Sequence, residues 1–219
     1  MRIDSGIVLA GGRGVRLGAG IPKALVKLDG IALLDRAIHT LVGCCDEVIV
    51  VAPRGIELGT LASRPERDTL TDSSRPARRV FDGDGCEGPF SGLVAGLEAC
   101  GGSTVAVLGV DFPLVTPALL EALFGAFEPG DDAVVARPGR IAQPLVSLMR
   151  VALAPRLRAA LQSGVRSLRG GLDGLAVRWL DDAAIARLPG GCEALLNVNT
   201  PEDLAAARVA LAQRGQGAS

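Results

Sequence analysis

The stretch Ile7-Val8-Leu9-Ala10-Gly11-Gly12-Arg13-Gly14-Val15-Arg16-Leu17-Gly18, followed by Pro22-Lys23, sets the interpretation of the whole chain. Its apolar start predicts a buried strand that runs directly into a glycine-rich loop. Glycine lets the backbone approach a ligand closely, and successive exposed N–H groups form a concavity that binds anions. Arg16 and Lys23 add positive charges that suit phosphate oxygens. The segment therefore predicts a strand, a phosphate-binding loop and a helix.

Strand-like and helix-like segments alternate along the rest of the chain. Apolar runs predict strands at 6–10, 47–52, 79–81, 104–110, 132–137 and around 143–149. Helices are expected over 32–43 and 91–100 and after residues 116 and 200, with Ser91, Thr116 and Thr200 as N-caps. The alternation predicts an α/β fold, a three-layer α/β/α sandwich whose mostly parallel, Rossmann-like sheet is covered by helices on both faces.

The chain is expected to form a single domain over residues 1–219. A polar stretch at 63–78 with little periodicity predicts a mobile surface loop, and residues 214–219 predict a frayed tail. The glycine loop, Asp82, Asp111 and the segment Asn197–Asn199 all follow predicted strands. Because ligands bind beyond the carboxyl ends of strands in such sheets, we expect these groups to gather at one edge.

The composition excludes several functional classes. A formal net charge of −1 argues against a general binder of nucleic acid or of anionic membranes, and 3% aromatic residues argue against base stacking on several platforms. His39 is the single histidine, which excludes sites that need two. No apolar run approaches a membrane span and no signal-peptide pattern is present, which predicts a cytoplasmic protein.

Two familiar phosphate-binding motifs do not fit the glycine loop. A P-loop lysine is followed by Ser or Thr, and Lys23 is not. A dinucleotide fingerprint requires a third glycine, but Gly12 and Gly14 are followed by Leu17 at that position. The pattern that remains suits a nucleoside triphosphate whose pyrophosphate must leave. Backbone amides, Arg16 and Lys23 would neutralise the charge that develops on that leaving group.

Four segments give the chain a resemblance to the sugar-nucleotidyltransferase-like superfamily, and within it to the molybdenum cofactor guanylyltransferases. They are the glycine loop with Pro22-Lys23, Gly88-Pro89-Phe90-Ser91-Gly92-Leu93, Val110-Asp111-Phe112-Pro113-Leu114-Val115, and Asn197-Val198-Asn199-Thr200-Pro201-Glu202-Asp203-Leu204. Gln143-Pro144 stands where that family usually has His-Pro. The resemblance implies Mg²⁺-dependent transfer of GMP from GTP to a phosphorylated acceptor such as molybdopterin, with release of pyrophosphate.

The resemblance also implies roles for individual residues. Arg16, Lys23 and Asp111 would be catalytic, and Asp111 and Asn199 would hold Mg²⁺ with Asn197 in support. The nucleotide would contact Leu9, Ala10, Gly11, Gly12, Gly14, Arg16, Lys23, Asp82, Gly88 and Gly92. Asp84 is close enough to Asp82 to exchange roles with it. Arginines of the 63–78 and 137–140 segments are candidates for holding the acceptor's phosphate.

The residues leave two other functions open. The second strand ends Val50-Val51-Ala52-Pro53, without the asparagine that guanylyltransferases of this family often carry, and Gly20–Leu25 resembles methylerythritol phosphate cytidylyltransferase. A cytidylyltransferase acting on molybdopterin or methylerythritol phosphate is therefore the first alternative, and a non-catalytic nucleotide-binding relative is the second. The expected partners are GTP, with CTP as second choice, the acceptor, and enzymes that deliver or receive the cofactor.

Overall fold

The structure, a computed structural model, describes residues 2–11, 17, 20–52, 77–81 and 88–216. Its strands are β1 (Ile3–Leu9), β2 (Lys27–Leu28), β3 (Ile31–Ala32), β4 (Cys45–Ala52), β5 (Arg78–Phe81), β6 (Thr104–Gly109), β7 (Ala133–Ala136), β8 (Val146–Arg150) and β9 (Val177–Leu180). Its helices are α1 (Leu33–Cys44), α2 (Pro89–Ala99), α3 (Pro117–Gly125), α4 (Ala154–Gln162), α5 (Leu168–Gly171), α6 (Asp182–Ile185) and α7 (Pro201–Gln216).

Seven strands form one sheet in the order β5-β4-β1-β6-β8-β7-β9, and β2 pairs with β3 in a small hairpin. Within the described part of this sheet, β8 alone runs antiparallel to its neighbours, and every other pairing is parallel. The predicted mostly parallel sheet is confirmed. Since β8 reverses direction between β6 and β7, those two strands still point the same way.

Alternate residues of the central strands face opposite layers of helices. Along β1 and at the residue that follows it, Val8 and Ala10 belong to the core shared with α1 and α3, whereas Ile7 and Leu9 belong to the core shared with α2 and α4. Burial on both faces explains why these strands are continuous apolar runs rather than alternating ones. The predicted three-layer sandwich is confirmed.

Two of the three predicted N-caps are confirmed and one is wrong. The Thr116 hydroxyl accepts a 3.3 Å hydrogen bond from the Leu119 N–H, and Thr200 accepts one of 3.2 Å from the Asp203 N–H. Ser91 does not start its helix, because α2 begins at Pro89 and Gly88 precedes it. The Ser91 hydroxyl instead donates back to the Gly88 carbonyl at 2.9 Å, which places it in the first turn.

The two segments expected to be irregular differ from that prediction at their described ends. Arg78, the last residue of the predicted loop 63–78, is the first residue of β5. The C-terminal helix continues to Gln216, so 214–216 are helical rather than a frayed tail. Among the described residues, no helix combines the length and the apolar character that crossing a membrane requires.

Candidate active site

The site lies where β1 and β6 end side by side. The Val110 N–H donates to the Leu9 carbonyl at 3.3 Å, and the Ala10 N–H donates to the Val51 carbonyl at 2.9 Å. These bonds extend the parallel pairing one residue past β1 and place Leu9, Ala10 and Asp111 at the carboxyl edge of the sheet. Gly11 follows directly and is exposed. The edge predicted from the sequence therefore holds three of the predicted residues on neighbouring strands.

Lys23 is carried to this edge by a single 3-10 turn, Lys23–Leu25. The residue is only 8% exposed. Its ammonium donates a 2.7 Å hydrogen bond to Asn199 Oδ1 and lies 3.7 Å from Asp111 Oδ2. Three side chains that the sequence singled out, from the first, middle and last parts of the chain, thus meet at one point.

The segment before α7 is fixed to the same edge by its backbone. The buried Val198 donates its N–H to the Asp111 carbonyl at 2.8 Å. Asn199 Nδ2 donates to Asn197 Oδ1 at 2.6 Å. This bond orients the Asn199 amide so that its Oδ1 faces the Lys23 ammonium. Asp203 Oδ2 accepts from the Asn199 N–H at 2.8 Å and from the Thr200 N–H at 2.9 Å. With the Thr200 cap, these bonds form a capping box that also holds Asn199 in place.

Burial governs the ionisation of the central pair. It raises the pKa of the Asp111 carboxyl, and the nearby Lys23 charge and a hydrogen bond from Asn197 offset only part of this effect. Burial likewise lowers the pKa of Lys23, against the attraction of Asp111 and Asp203. Each charge is therefore incompletely compensated by the other. A cation beside Asp111 and an anion beside Lys23 would complete the balance.

Gly109 is a residue of this site that the sequence reasoning missed. A Cβ built on it would lie 2.2 Å from Asp111 Oδ1 and 3.1 Å from Leu145 Cβ. The Asp111 carboxylate therefore folds back over the end of β6 into space that only glycine leaves open. A lone glycine at the end of an otherwise apolar strand was the available signal, because such glycines mark close approach of another group.

The remaining predicted residues fall into two groups. Gly88 precedes α2 with a φ of 120°, and the Gly92 N–H is already bonded to the Gly88 carbonyl at 3.2 Å. Gly92 is buried within α2. The other predicted residues lie outside the described part of the chain: Gly12, Gly14, Arg16, Asp82 and Asp84.

Comparison with known proteins places the chain in a family. Residues 6–176 match the family model of the MobA-like NTP transferase domain. The chain belongs to this family. A probable molybdenum cofactor guanylyltransferase of Chloroflexus aggregans is 34% identical over 209 residues, covering 91% of each chain. A molybdenum cofactor guanylyltransferase of Pseudomonas putida is 32% identical over 198 residues, covering 90% of this chain and 94% of the relative. The resemblance drawn from the sequence is confirmed.

Solved structures share the MobA-like fold. Molybdopterin-guanine dinucleotide biosynthesis protein A from Archaeoglobus fulgidus matches with a TM-score of 0.76 at 24% identity, covering 95% of this chain and 99% of that one. The 2-C-methyl-D-erythritol 4-phosphate cytidylyltransferase from Thermus thermophilus matches with a TM-score of 0.64 at 19% identity, covering 95% and 98%. At these identities the matches establish the fold of the chain.

The donor set of this MobA-like site is made of oxygen atoms. Asp111 supplies a carboxylate, to which the Asn197 amide also hydrogen-bonds. The amide oxygen of Asn199 accepts from Lys23, and that of Asn197 accepts from the Asn199 amide. In the described ranges, no three His, Cys, Asp or Glu side chains group closely enough to form a metal cage. A single carboxylate with neighbouring amide groups suits a divalent cation that takes its other ligands from water and substrate phosphates.

Proposed function

We propose that this protein transfers GMP from GTP to the terminal phosphate of molybdopterin, with Mg²⁺ as the divalent cation. The single observation that carries the proposal is the meeting of Lys23, Asp111 and Asn199 at the carboxyl edge of the sheet in a MobA-like chain. Relatives named molybdenum cofactor guanylyltransferase, at 34% and 32% identity over most of the chain, support the choice of nucleotide and acceptor.

The chemistry is a direct displacement at phosphorus. An oxygen of the acceptor phosphate forms a bond to the α-phosphorus of GTP, the bond from that phosphorus to the β-bridging oxygen breaks, and pyrophosphate leaves with the electron pair. No side chain needs to form a covalent intermediate. Catalysis then depends on positioning the two phosphates and on stabilising the charge that moves onto the leaving group.

The residues present fit a divalent cation. The Asp111 side chain is only 15% exposed, and its one described positive partner, Lys23, lies 3.7 Å away. Asp111, with Asn199 and Asn197, would hold the ion. When bound, it would neutralise phosphate charge and align the two reacting phosphates.

Lys23 is placed to act on the leaving group. Its ammonium is held by Asn199 and Asp111, so it is oriented before substrate arrives. A preoriented charge in a partly dry site stabilises developing negative charge more strongly than one in water. Together with Arg16, Lys23 would bind the β- and γ-phosphates released as pyrophosphate.

The test is a transfer assay with purified protein, molybdopterin, Mg²⁺ and each of GTP, CTP, UTP and ATP. We expect the guanine dinucleotide form of the cofactor and stoichiometric pyrophosphate with GTP. Asp111→Asn should abolish both, whereas the matched surface variant Asp173→Asn should leave them unchanged. Preference for CTP would identify a cytidylyltransferase instead. A protein that binds nucleotide but releases no pyrophosphate, whether the acceptor is molybdopterin or methylerythritol phosphate, would be a non-catalytic relative.

A further inference from the structure

The loop 137–142 joins β7 to β8 at the same edge as the candidate active site. Because β8 is antiparallel to both neighbours, its start lies between the ends of β6 and β7. The Gly109 N–H donates to the Leu145 carbonyl at 2.9 Å, and the Gln143 N–H donates to the Ala136 carbonyl at 2.8 Å. The loop therefore begins two strand spacings, about 10 Å, from the end of β6 that carries Asp111.

The backbone of this loop adopts a conformation that most residues avoid. Gly139 has a φ of 54° and Arg140 a φ of 66°. Glycine adopts this left-handed region readily, but an arginine does so only under strain. Strain of this kind persists where the surrounding structure enforces it, and it is concentrated at functional sites. Glycine at position 140 would be the less strained choice, so the arginine side chain calls for another explanation.

The surrounding structure does enforce this conformation. Asp182 Oδ1 accepts a 2.9 Å hydrogen bond from the Gly139 N–H, and the Pro138 carbonyl accepts one of 2.9 Å from the Ile141 N–H. At the base of the loop, the Arg137 N–H donates to the Leu180 carbonyl at 2.8 Å, and the Arg137 guanidinium stacks 5.1 Å from the Trp179 ring. The loop is thus tied to β9 and α6 on the side away from Asp111.

The tip of the loop presents two side chains to solvent. Arg140 is exposed, and within the described part of the chain its guanidinium has no ion-pair partner. Its neighbour Ile141 is 67% exposed, more than any other large apolar side chain among the described residues. A guanidinium suits a phosphate bidentately, and an adjacent apolar side chain suits a flat ring.

We propose that loop 137–142 binds the acceptor, with Arg140 on its phosphate monoester and Ile141 against its fused heterocycle. This inference rests on the proposed function and adds the place where the acceptor docks. The acceptor lies over the start of β8, between the strained loop and Asp111. Its phosphate is thereby directed toward the α-phosphorus of a nucleotide held beside β1.

The test uses Arg140→Gly and Arg140→Lys in the full chain, with Arg208→Ala as a control. Arg208 is an exposed arginine on α7, weakly paired with Asp29 at 3.7 Å. For Arg140→Gly we expect the KM for molybdopterin to rise about 10- to 100-fold, because the variant lacks one charged group that hydrogen-bonds to the acceptor. The KM for GTP should not change, and thermal stability should stay the same or increase, because glycine relieves the left-handed strain. Arg140→Lys should recover part of the affinity.

The outcomes separate this inference from the proposed function. If the wild-type protein transfers GMP and Arg140→Gly has an unchanged KM for molybdopterin, or a raised KM for GTP instead, the docking assignment is wrong and the function stands. If the wild-type protein transfers no GMP, the dissociation constants of molybdopterin for wild type and Arg140→Gly, measured by isothermal titration calorimetry, decide. Equal dissociation constants for wild type and Arg140→Gly would overturn the inference.

Discussion

The Lys23 ammonium donates a 2.7 Å hydrogen bond to Asn199 Oδ1, which joins residues 176 positions apart in the chain. The lysine ends the glycine loop that follows β1, and the asparagine precedes the last helix. Neither residue is placed by its own segment alone, because each is held by the other and the Lys23 ammonium also lies 3.7 Å from Asp111 Oδ2. The candidate site is therefore assembled only when both ends of the chain have docked on the central sheet.

A substitution at Lys23 tests whether the positive charge of this side chain, rather than its size, is needed for activity. Lys23→Met keeps the length of the side chain and removes the ammonium, so leaving-group stabilisation is lost. We expect kcat/KM for GTP to fall about 10²- to 10³-fold, as for the loss of one preoriented donor. The measurement is steady-state pyrophosphate release, with Lys27→Met, at an exposed position of β2, as the matched control. Equal activities of the two variants would remove Lys23 from the catalytic set.

The capping box at α7 allows positioning to be distinguished from helix stability. Thr200→Ala and Asp203→Ala each remove half of the box, and each should lower the free energy of unfolding by about 1 kcal/mol. Only Asp203 also holds the Asn199 N–H, at 2.8 Å. We therefore expect only Asp203→Ala to raise the Mg²⁺ concentration needed for half-maximal activity. Mg²⁺ titrations of activity and thermal melts on both variants check this. The same half-maximal Mg²⁺ concentration for Asp203→Ala and Thr200→Ala would show that Asp203 acts only as a cap.

Gly109 and Gly96 provide a matched pair of glycine-to-alanine changes. In Gly96→Ala the new Cβ would lie 2.9 Å from Ile7 Cδ1, which overpacks the core and should cost about 1–3 kcal/mol. In Gly109→Ala it would lie 2.2 Å from Asp111 Oδ1 and displace the carboxylate. Both variants should have a lower melting temperature than wild type, but only Gly109→Ala should have a lower kcat per folded molecule. Activity assays well below the melting temperature, normalised to folded protein by circular dichroism, would detect the difference; full activity of folded Gly109→Ala would contradict it.

Asp4 should make part of the stability dependent on acid pH. Hydrogen bonds from the Ser103 N–H at 2.8 Å and from the Thr104 N–H at 2.9 Å, with both hydroxyls, lower the pKa of this carboxyl despite some burial. A lowered folded-state pKa stabilises the protein above the unfolded value, about pH 4, and the effect is lost as pH falls through the folded value. Asp4→Asn should therefore be less stable than wild type at pH 7.

Urea unfolding midpoints at pH 7, 4 and 3 test this dependence. The difference in unfolding midpoint between wild type and Asp4→Asn should become smaller as the pH falls from about 4 through the folded-state pKa of Asp4. A difference that stays constant across the series would mean that Asp4 stabilises the fold through the geometry of its hydrogen bonds rather than through its charge.

Most helices and strands could be predicted because their signals are local. The apolar runs of β1 and β6 and the Thr-Pro caps at Thr116 and Thr200 each lie within a few residues of the structure they predict. Ser91 misled the prediction, because a serine in the first turn can bond backward to a carbonyl as easily as it can cap. The reversal of β8 had no local signal, since a buried strand is an apolar run whichever way it points.

The sequence by itself determined the fold class, the order of the motifs and the family, because periodicity, glycine spacing and residue type are properties of short segments. Only the tertiary structure decided that Lys23 contacts Asn199, that Gly109 leaves room for the Asp111 carboxylate, and that the strained loop at Arg140 faces the same edge. These contacts follow from strand order and direction in the sheet. That order is set by packing two apolar layers of helices against it, which depends on the whole chain at once.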